Sequence, residues 1–298
     1  ISWSKFVGGR FGALADLPAG CYSDDTQLRF CTSRAIRGNG IFDAEAFAKI
    51  ELPVWLSYSL GAGRGTKIAA NSFAKQDVNW FSNFFNGKNS YLSAGGNGAA
   101  MRIQPHVWSA NDLSKPKNII LNVIKNSICT HGHPRGFLGA VFHALSLIET
   151  LKNGKIPGPA EWKDYVSYFQ QIRNIISGDN DLNTFWLPVW EERSGKNLEA
   201  ACEETIKECL EDIKIIEQFF SSPPSEAYER MVDAIGCRTN KYRGTGTKTA
   251  ILASALCWIH KDDGTIDAIL NSSNLLNSDT DTISTMAGAI LGVVSENS

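Results

Sequence analysis

Apolar residues with helical spacing run through most of this chain and constrain its fold more than any other feature. In 198–220, Leu, Cys, Ile and Phe side chains recur at three- and four-residue steps among Glu and Lys, which is the pattern of an amphipathic helix. Residues 118–128 repeat this spacing, and 136–151 and 249–259 are apolar enough to be buried helices. The sequence therefore predicts a mainly helical protein.

Signals for β-structure are weak. Val and Ile do not alternate with polar residues over any long stretch, and no Asn-Gly turn joins two β-branched runs. Breaks rich in Gly or Pro at 61–66, 93–98, 152–159 and 221–225 predict loops between helices. The 298 residues are enough to bury a substantial core, and we expect one compact all-α domain over 1–298.

The composition of the chain disfavours several classes of function. A formal charge of −2 provides no basic surface for nucleic acid, and no apolar run reaches the length that spans a bilayer. The seven cysteines are scattered without a Cys-x-x-Cys pair, which is typical of reduced thiols in a cytosolic protein. The first residues lack the regions of a signal peptide. We therefore expect a cytoplasmic monomer that binds neither nucleic acid nor membrane.

Two acidic motifs lie at opposite ends of the chain, each just before a predicted helix. They are Ser-Asp-Asp-Thr at 23–26 and Asp-Thr-Asp-Thr at 279–282. A helix N-terminus stabilises a nearby carboxylate through its free N–H groups, so simple capping by Ser23 and Asp281 is one explanation. If the two ends meet in space, however, four carboxylates repel one another. A hard divalent cation, which prefers oxygen ligands, would relieve that repulsion.

Four segments, taken in order, resemble the ADP-ribosylglycohydrolase family over most of the chain. They are Tyr22-Ser-Asp-Asp-Thr-Gln-Leu, Gly96-Asn-Gly-Ala-Ala-Met-Arg-Ile, Thr130-His-Gly-His-Pro and Asp279-Thr-Asp-Thr-Ile-Ser-Thr-Met-Ala-Gly-Ala-Ile. The resemblance implies an all-α, compact orthogonal helical bundle. It also implies hydrolysis of the bond that links ADP-ribose to a protein side chain or a small molecule, with two divalent cations, Mg²⁺ or Mn²⁺.

The same resemblance implies a set of site residues. The catalytic candidates are Asp24, Asp25 and Asp281. The implied metal ligands are Ser23, Asp24, Asp25, Asp279, Asp281 and Thr282, with Asp281 bridging the ions. The implied substrate contacts are Gly95, Gly96, Asn97, Gly98 and His131. Glycines let backbone N–H groups approach a pyrophosphate closely, and a helix is expected to follow them with its N-terminus toward that charge.

Several alternatives accompany this interpretation. His133 lies two residues from His131, so a His-x-His metal pair is conceivable, although an oxygen-rich ligand set does not call for imidazole. The motif at 279–282 also mimics the nucleophile loop of haloacid-dehalogenase phosphatases, which should follow a buried strand. Residues 244–247 (Gly-Thr-Gly-Thr) resemble a further substrate loop or are a plain start of a helix.

Two departures from the family pattern bear on activity. Family members usually begin with a Gly-Asp-Ala-x-Gly helix, whereas this sequence has Gly-Gly-Arg-Phe-Gly at 8–12. That N-terminal element is missing from the given sequence, either because it was truncated or because this branch of the family lacks it. A relative that binds ADP-ribose without hydrolysing it is therefore the alternative function. The second departure is Asn277-Ser278, where two glycines commonly precede the acidic motif.

Overall fold

Helices occupy the segments whose apolar residues repeat with helical spacing. The structure, a computed structural model, describes residues 3–7, 12–18, 20–87 and 90–295. Its α-helices are α1 (Asp24–Arg34), α2 (Ala44–Ala46), α3 (Leu52–Leu56), α4 (Arg64–Phe73), α5 (Gln104–Trp108), α6 (Pro116–Ile128), α7 (Pro134–Asn153), α8 (Pro159–Tyr168), α9 (Ile172–Ser177), α10 (Leu187–Ser194), α11 (Leu198–Glu217), α12 (Pro224–Ala234), α13 (Gly246–Ile259), α14 (Thr265–Ser273) and α15 (Thr280–Val294). The predicted all-α fold is confirmed.

Shorter helical turns connect these elements. π-Helical turns cover Phe47–Glu51 and Leu182–Trp186, and 3₁₀ turns cover Tyr91–Ser93, Ala100–Arg102 and Phe169–Gln171. The turn at Ala100–Arg102 corrects one expectation, because the glycine-rich segment leads into a single 3₁₀ turn and the short α5 rather than a long helix. No extended helix dipole therefore points at the glycine-rich segment from this side.

A small hairpin is the part of the fold that the sequence did not predict. Strands β1 (Trp3–Val7) and β2 (Ala13–Leu17) pair antiparallel, with Trp3 opposite Leu17. The side chains of β2 are half-buried or exposed, Leu14 most of all, so the strand lacks the one-sided apolar face that produces an alternating pattern. The Gly-rich residues 8–11 lie outside the described residues.

The core is centred on α7 and α13, whose backbones pack closely. A Cβ built on Gly139 of α7 would lie 2.3 Å from the carbonyl carbon of Gly246 at the start of α13. Helices α6, α11 and α15 surround this pair, so residues on every side of α13 are buried. A helix that is covered all round carries apolar residues all round, which explains the continuous apolar run at 249–259.

This central packing brings together segments that are distant in the sequence. Helix α15 packs on α13 and α7, while α1 packs on the Ala100–Arg102 turn and contacts α15. The N-termini of α1 and α15 consequently meet at one cavity. Six of the seven free cysteines are buried and Cys21 is exposed. Within the described part of the chain, no helix is long and apolar enough to cross a membrane.

Candidate active site

The two acidic motifs meet at the N-termini of α1 and α15. The Ser23 hydroxyl lies 3.1 Å from Oδ2 of Asp25 and 3.2 Å from Oδ2 of Asp281, a residue 258 positions away. Carboxylate oxygens of Asp24, Asp25 and Asp281 all lie within 4.8 Å of one another. The predicted meeting of the chain's two ends is therefore present in the fold.

Simple helix capping does not explain these motifs. Ser23 and Asp279 occupy the N-cap positions of α1 and α15, yet neither side chain makes a capping hydrogen bond. Ser23 instead contacts the carboxylates, and Asp279 accepts a hydrogen bond of 2.7 Å from the Asn97 amide. Asp281 lies in the first turn of α15 and not at its N-cap, so the interpretation of Ser23 and Asp281 as simple helix caps is wrong.

The surroundings of Asp25 disfavour the charged form of its carboxyl group. Its side chain is only 2% exposed, and its Oδ1 has no hydrogen-bond partner among the described residues. Burial, followed by repulsion from Asp281, Asp24 and Asp279, raises the pKa of Asp25 to about 8. Burial and Asp281 likewise raise the pKa of Asp279, while hydrogen bonds from Asn97 and Thr282 oppose that rise.

This donor set fits hard divalent cations. Six side chains converge on the cluster and offer only oxygen atoms, which Mg²⁺ and Mn²⁺ prefer. The unpartnered Oδ1 of Asp25 could serve as a ligand to such a cation. The positive charge would also offset the repulsion that raises the pKa of Asp25. Asp24, Asp25 and Asp281 form the tight group. Ser23, Asp279 and Thr282 border that group.

Glycine-rich loops bring backbone directly over these carboxylates. Gly61 has a φ of +94°, and a Cβ built there would lie 2.2 Å from Oδ1 of Asp24. Gly244 has a φ of +74°, and its Cβ would lie 3.0 Å from Oδ2 of Asp279. Only glycine combines this backbone conformation with such close approach. The two loops thus form walls of a cavity of about 680 Å³ with the acidic cluster at its base.

The segment 95–98 forms another wall of the same cavity. It is held against the loop before α13, because the Asn97 N–H donates to the Gly244 carbonyl at 2.8 Å and the Gly246 N–H donates to the Gly95 carbonyl at 3.0 Å. Residues 244–247 are therefore both a cavity loop and the start of a helix. This pairing explains why two separate glycine-containing segments serve one site.

The side-chain amide of Asn97 donates both of its hydrogens to other residues of the protein. Its Nδ2 donates to Oδ2 of Asp279 at 2.7 Å and to Oγ1 of Thr249 at 3.2 Å, which uses both amide hydrogens. Only Oδ1 remains for a ligand, and an acceptor suits a ribose hydroxyl rather than a phosphate. Asn97 therefore positions Asp279, and its side chain has one acceptor left for a further hydrogen bond.

The two histidines of the Thr-His-Gly-His segment face different cavities. His131 is buried and lines the acidic cavity, whereas His133 lines a neighbouring cavity of about 390 Å³. His133 accepts the Arg135 N–H through Nδ1, which caps the start of α7. The two rings therefore do not form a His-x-His metal pair. His143 and His260 line neither cavity; they bond to Gln104 and Asn271 in the helical framework.

Two cationic side chains at the cavity were missed by sequence reasoning. Arg64 and Arg243 are exposed and line the cavity that contains the carboxylates. Arg64 belongs to 61–66, which the sequence indicated only as a loop, although α4 already begins at this arginine. The sequence signal that was available for Arg64 is its position between two glycines, in Gly63-Arg-Gly-Thr. The cavity thus combines an acidic base with positive charge on its walls.

The Asn277-Ser278 departure has a local structural reason. Asn277 has a φ of +68°, a left-handed conformation in which glycine is common and asparagine is the best tolerated of the other residues. Asn277 therefore adopts a backbone conformation that glycine would also allow in the turn before α15. Helix α14 precedes that turn, and the sheet among the described residues is a two-stranded antiparallel hairpin. The phosphatase alternative, which requires a buried strand there, is wrong.

The raised pKa of Asp25 predicts how stability depends on pH. The folded protein holds this proton up to about pH 8, whereas the unfolded chain releases it near 3.8. Unfolding is then accompanied by proton release between these values, so the metal-free protein should lose stability as pH rises from 5 to 8. Thermal unfolding in a chelator should show this fall, and Mg²⁺ should flatten it.

The matched variant for this prediction is Asp25→Asn, which has no proton to release. Its metal-free Tm should depend less on pH than that of the wild type and should be higher at pH 8, by about 2–4 °C for each ~1 kcal/mol gained. A wild-type Tm that is independent of pH in chelator would contradict the assignment of a strained carboxylate.

Comparison with known proteins and protein families identifies the family of this chain. No curated protein matches the chain at a significant level. A family model described as ADP-ribosylglycohydrolase matches residues 3–296, nearly the whole chain. That span includes both acidic motifs, the glycine-rich segment and the Thr130-His131 pair. With a helical fold that gathers these segments around one cavity, the chain belongs to the ADP-ribosylglycohydrolase family.

Proposed function

We propose that this protein hydrolyses the glycosidic bond that links ADP-ribose to a protein side chain, with two divalent cations, Mg²⁺ or Mn²⁺, in the acidic cluster. The observation that carries the proposal is the junction of residues 23–25 with 279–282 at the base of one cavity. Family membership supports hydrolysis of ADP-ribose linkages in general. The metal centre and the linkage to a side chain are the specific parts of the proposal.

The ligands would come from both ends of the chain. Ser23, Asp24 and Asp25 would serve from the start of α1, and Asp279, Asp281 and Thr282 from the start of α15. Asp281 would hold a cation together with residues from both ends of the chain, because its Oδ2 lies beside Ser23 and its carboxylate interacts with Asp279. When bound, the cations polarise substrate oxygens and lower the pKa of water.

The carboxylates of this chain have complementary tasks in the reaction. Asp281 is exposed to the cavity while Asp24 and Asp25 are buried, so Asp281 is assigned to orienting the attacking water and accepting its proton. Asp25 is assigned to holding the cations in place from its buried position. Positive charge that develops on the ribose during bond cleavage is stabilised by the surrounding carboxylates.

The cavity suits a ligand with an anionic centre and a polar sugar. Its volume of about 680 Å³ lies within the range of about 300–1,000 Å³ typical of small-molecule sites. Backbone of 95–98 is available on one wall, and the exposed guanidinium groups of Arg64 and Arg243 add positive charge at the same cavity. A pyrophosphate is therefore favoured away from the acidic base, with the ribose toward the carboxylates.

A substrate panel tests the proposal. Arginine-linked, serine-linked and nucleotide-linked ADP-ribose should each be incubated with protein that was stripped by EDTA, then with added Mg²⁺ or Mn²⁺, and free ADP-ribose should be quantified. We expect release from a protein-linked substrate only when a cation is restored. Full release in chelator would overturn the metal centre. Tight binding of ADP-ribose without release from any substrate would identify a binding protein instead.

A further inference from the structure

A buried arginine lies behind the cavity wall formed by His131. Arg102 is 0% exposed and forms no ion pair with a described carboxylate. Its guanidinium donates to Oδ1 and O of Asn126 at 2.8 and 2.9 Å, to the Gly98 carbonyl at 3.1 Å and to Oγ1 of Thr130 at 2.8 Å. Arg102 therefore satisfies its donors with neutral acceptors and connects the glycine-rich segment to the residue preceding His131.

Thr130 transmits this arrangement to the histidine. Its Oγ1 accepts from Arg102 and lies 2.7 Å from Nδ1 of His131. A threonine hydroxyl has one hydrogen, and the other acceptor within reach is the Ser127 carbonyl at 3.4 Å. That carbonyl already accepts the N–H groups of Thr130 and His131 at 3.1 and 2.9 Å. The hydroxyl hydrogen is therefore directed to Nδ1, which makes Nδ1 an acceptor.

If Nδ1 accepts, a neutral imidazole must carry its proton on Nε2. His131 lines the cavity, and two glycines of the cavity wall lie next to the Nε2 edge of its ring. A Cβ built at Gly96 would lie 3.8 Å from Nε2, and one built at Gly98 would lie 3.4 Å from it. Glycines at both positions thus leave the Nε2 edge open. Burial and the charge of Arg102 also lower the pKa of His131 to about 3, so the ring stays neutral.

We infer that Arg102, acting through Thr130, holds His131 as the neutral tautomer with its proton on Nε2, so that the ring donates a hydrogen bond to an oxygen atom of the ligand. Arg102 and Thr130 are positioning residues in this arrangement. His131 cannot act as a proton acceptor toward the ligand, because its free nitrogen faces Thr130. The choice of ADP-ribose as ligand rests on the proposed function, whereas the tautomer does not.

The tautomer can be read directly by NMR. Long-range ¹H–¹⁵N correlation spectra of the ¹⁵N-labelled full chain at pH 7 distinguish Nε2–H, Nδ1–H and doubly protonated rings. For His131 we expect the Nε2–H pattern before and after addition of ADP-ribose. An Nδ1–H or charged ring in the free wild-type protein would overturn the inference. Absence of ADP-ribose binding with an Nε2–H ring would count against the proposed function alone.

A matched pair of variants tests the role of Thr130. Thr130→Val keeps the shape but removes the hydroxyl, and Thr130→Ser keeps the hydroxyl. We expect Thr130→Val to populate the Nδ1–H tautomer and to weaken ADP-ribose binding about tenfold, the loss of roughly one hydrogen bond. Thr130→Ser should retain the wild-type spectrum and affinity. An unchanged tautomer in Thr130→Val would contradict the relay; if that variant fails to fold, the wild-type spectrum still decides the tautomer.

Discussion

Replacing Asp25 by Asn should lower the rate of ADP-ribose release by roughly 10³-fold, the scale expected when a charged group is removed from a preorganised site. The substitution preserves shape but removes the carboxylate that would become charged when a cation binds, at a position that is only 2% exposed. Affinity for Mg²⁺ or Mn²⁺ should fall together with kcat. Steady-state kinetics over a cation titration, combined with calorimetric binding of the cation, measure both effects.

The control for this variant is Asp112→Asn, the same chemical change at a carboxylate outside the cavity. Asp112 is exposed and bonds only locally, to Ser114 and Lys115. Its variant should keep wild-type kinetics and cation affinity. Because Asp25→Asn should be more stable than the metal-free wild type at pH 8, a Tm measured under the assay conditions distinguishes lost catalysis from unfolding. Wild-type turnover by Asp25→Asn at limiting Mg²⁺ would refute the proposed centre.

Gly61→Ala should give the second large effect. A Cβ at this position would lie 2.2 Å from Oδ1 of Asp24, and the φ of +94° is unfavourable for alanine. Either the loop or the carboxylate must move, with a backbone strain of about 1–3 kcal/mol. We expect kcat to fall at least about tenfold and cation affinity to weaken, because small displacements at a catalytic site are costly.

Gly38→Ala provides the matched control outside the cavity. Gly38 is exposed and does not have a positive φ, and a Cβ there would meet no atom within 4 Å. This variant should differ from the wild type by less than about 0.5 kcal/mol in stability and should retain kinetics. Equal activity of the two alanine variants would show that the close approach of Gly61 to Asp24 is not needed for the reaction.

The helices were largely predictable because their signals are local. The spacing of apolar residues in 198–220 predicted α11 (Leu198–Glu217) within a few residues, since helix hydrogen bonds join residues four apart. The hairpin β1–β2 was not predictable in this way, because β2 has no buried face. The short turn at Ala100–Arg102 was also missed, although Pro105 at the start of α5 is a local signal against one continuous helix through this segment.

The candidate site was predictable in composition but less so in geometry. The oxygen-donor residues at 23–25 and 279–282 identified a cation site if they met, and the fold brings them together. Arg64 and Arg243 were missed because the one available signal, an arginine between two glycines at 63–65, does not indicate that the side chain lines a cavity. The restriction of Asn97 to one free acceptor depends on Asp279 and Thr249, which are more than 150 positions away in the sequence.

By itself, the sequence determined which segments are helices and which residue types are available for chemistry, because both follow from neighbouring residues and side-chain identity. Only the tertiary structure decided that the ends of the chain meet, that Gly61 closes over Asp24, and that Arg102 and Thr130 orient His131. These contacts arise from the packing of α1, α13 and α15 around a shared core. Such packing is set by the whole set of long-range contacts, which no local pattern encodes.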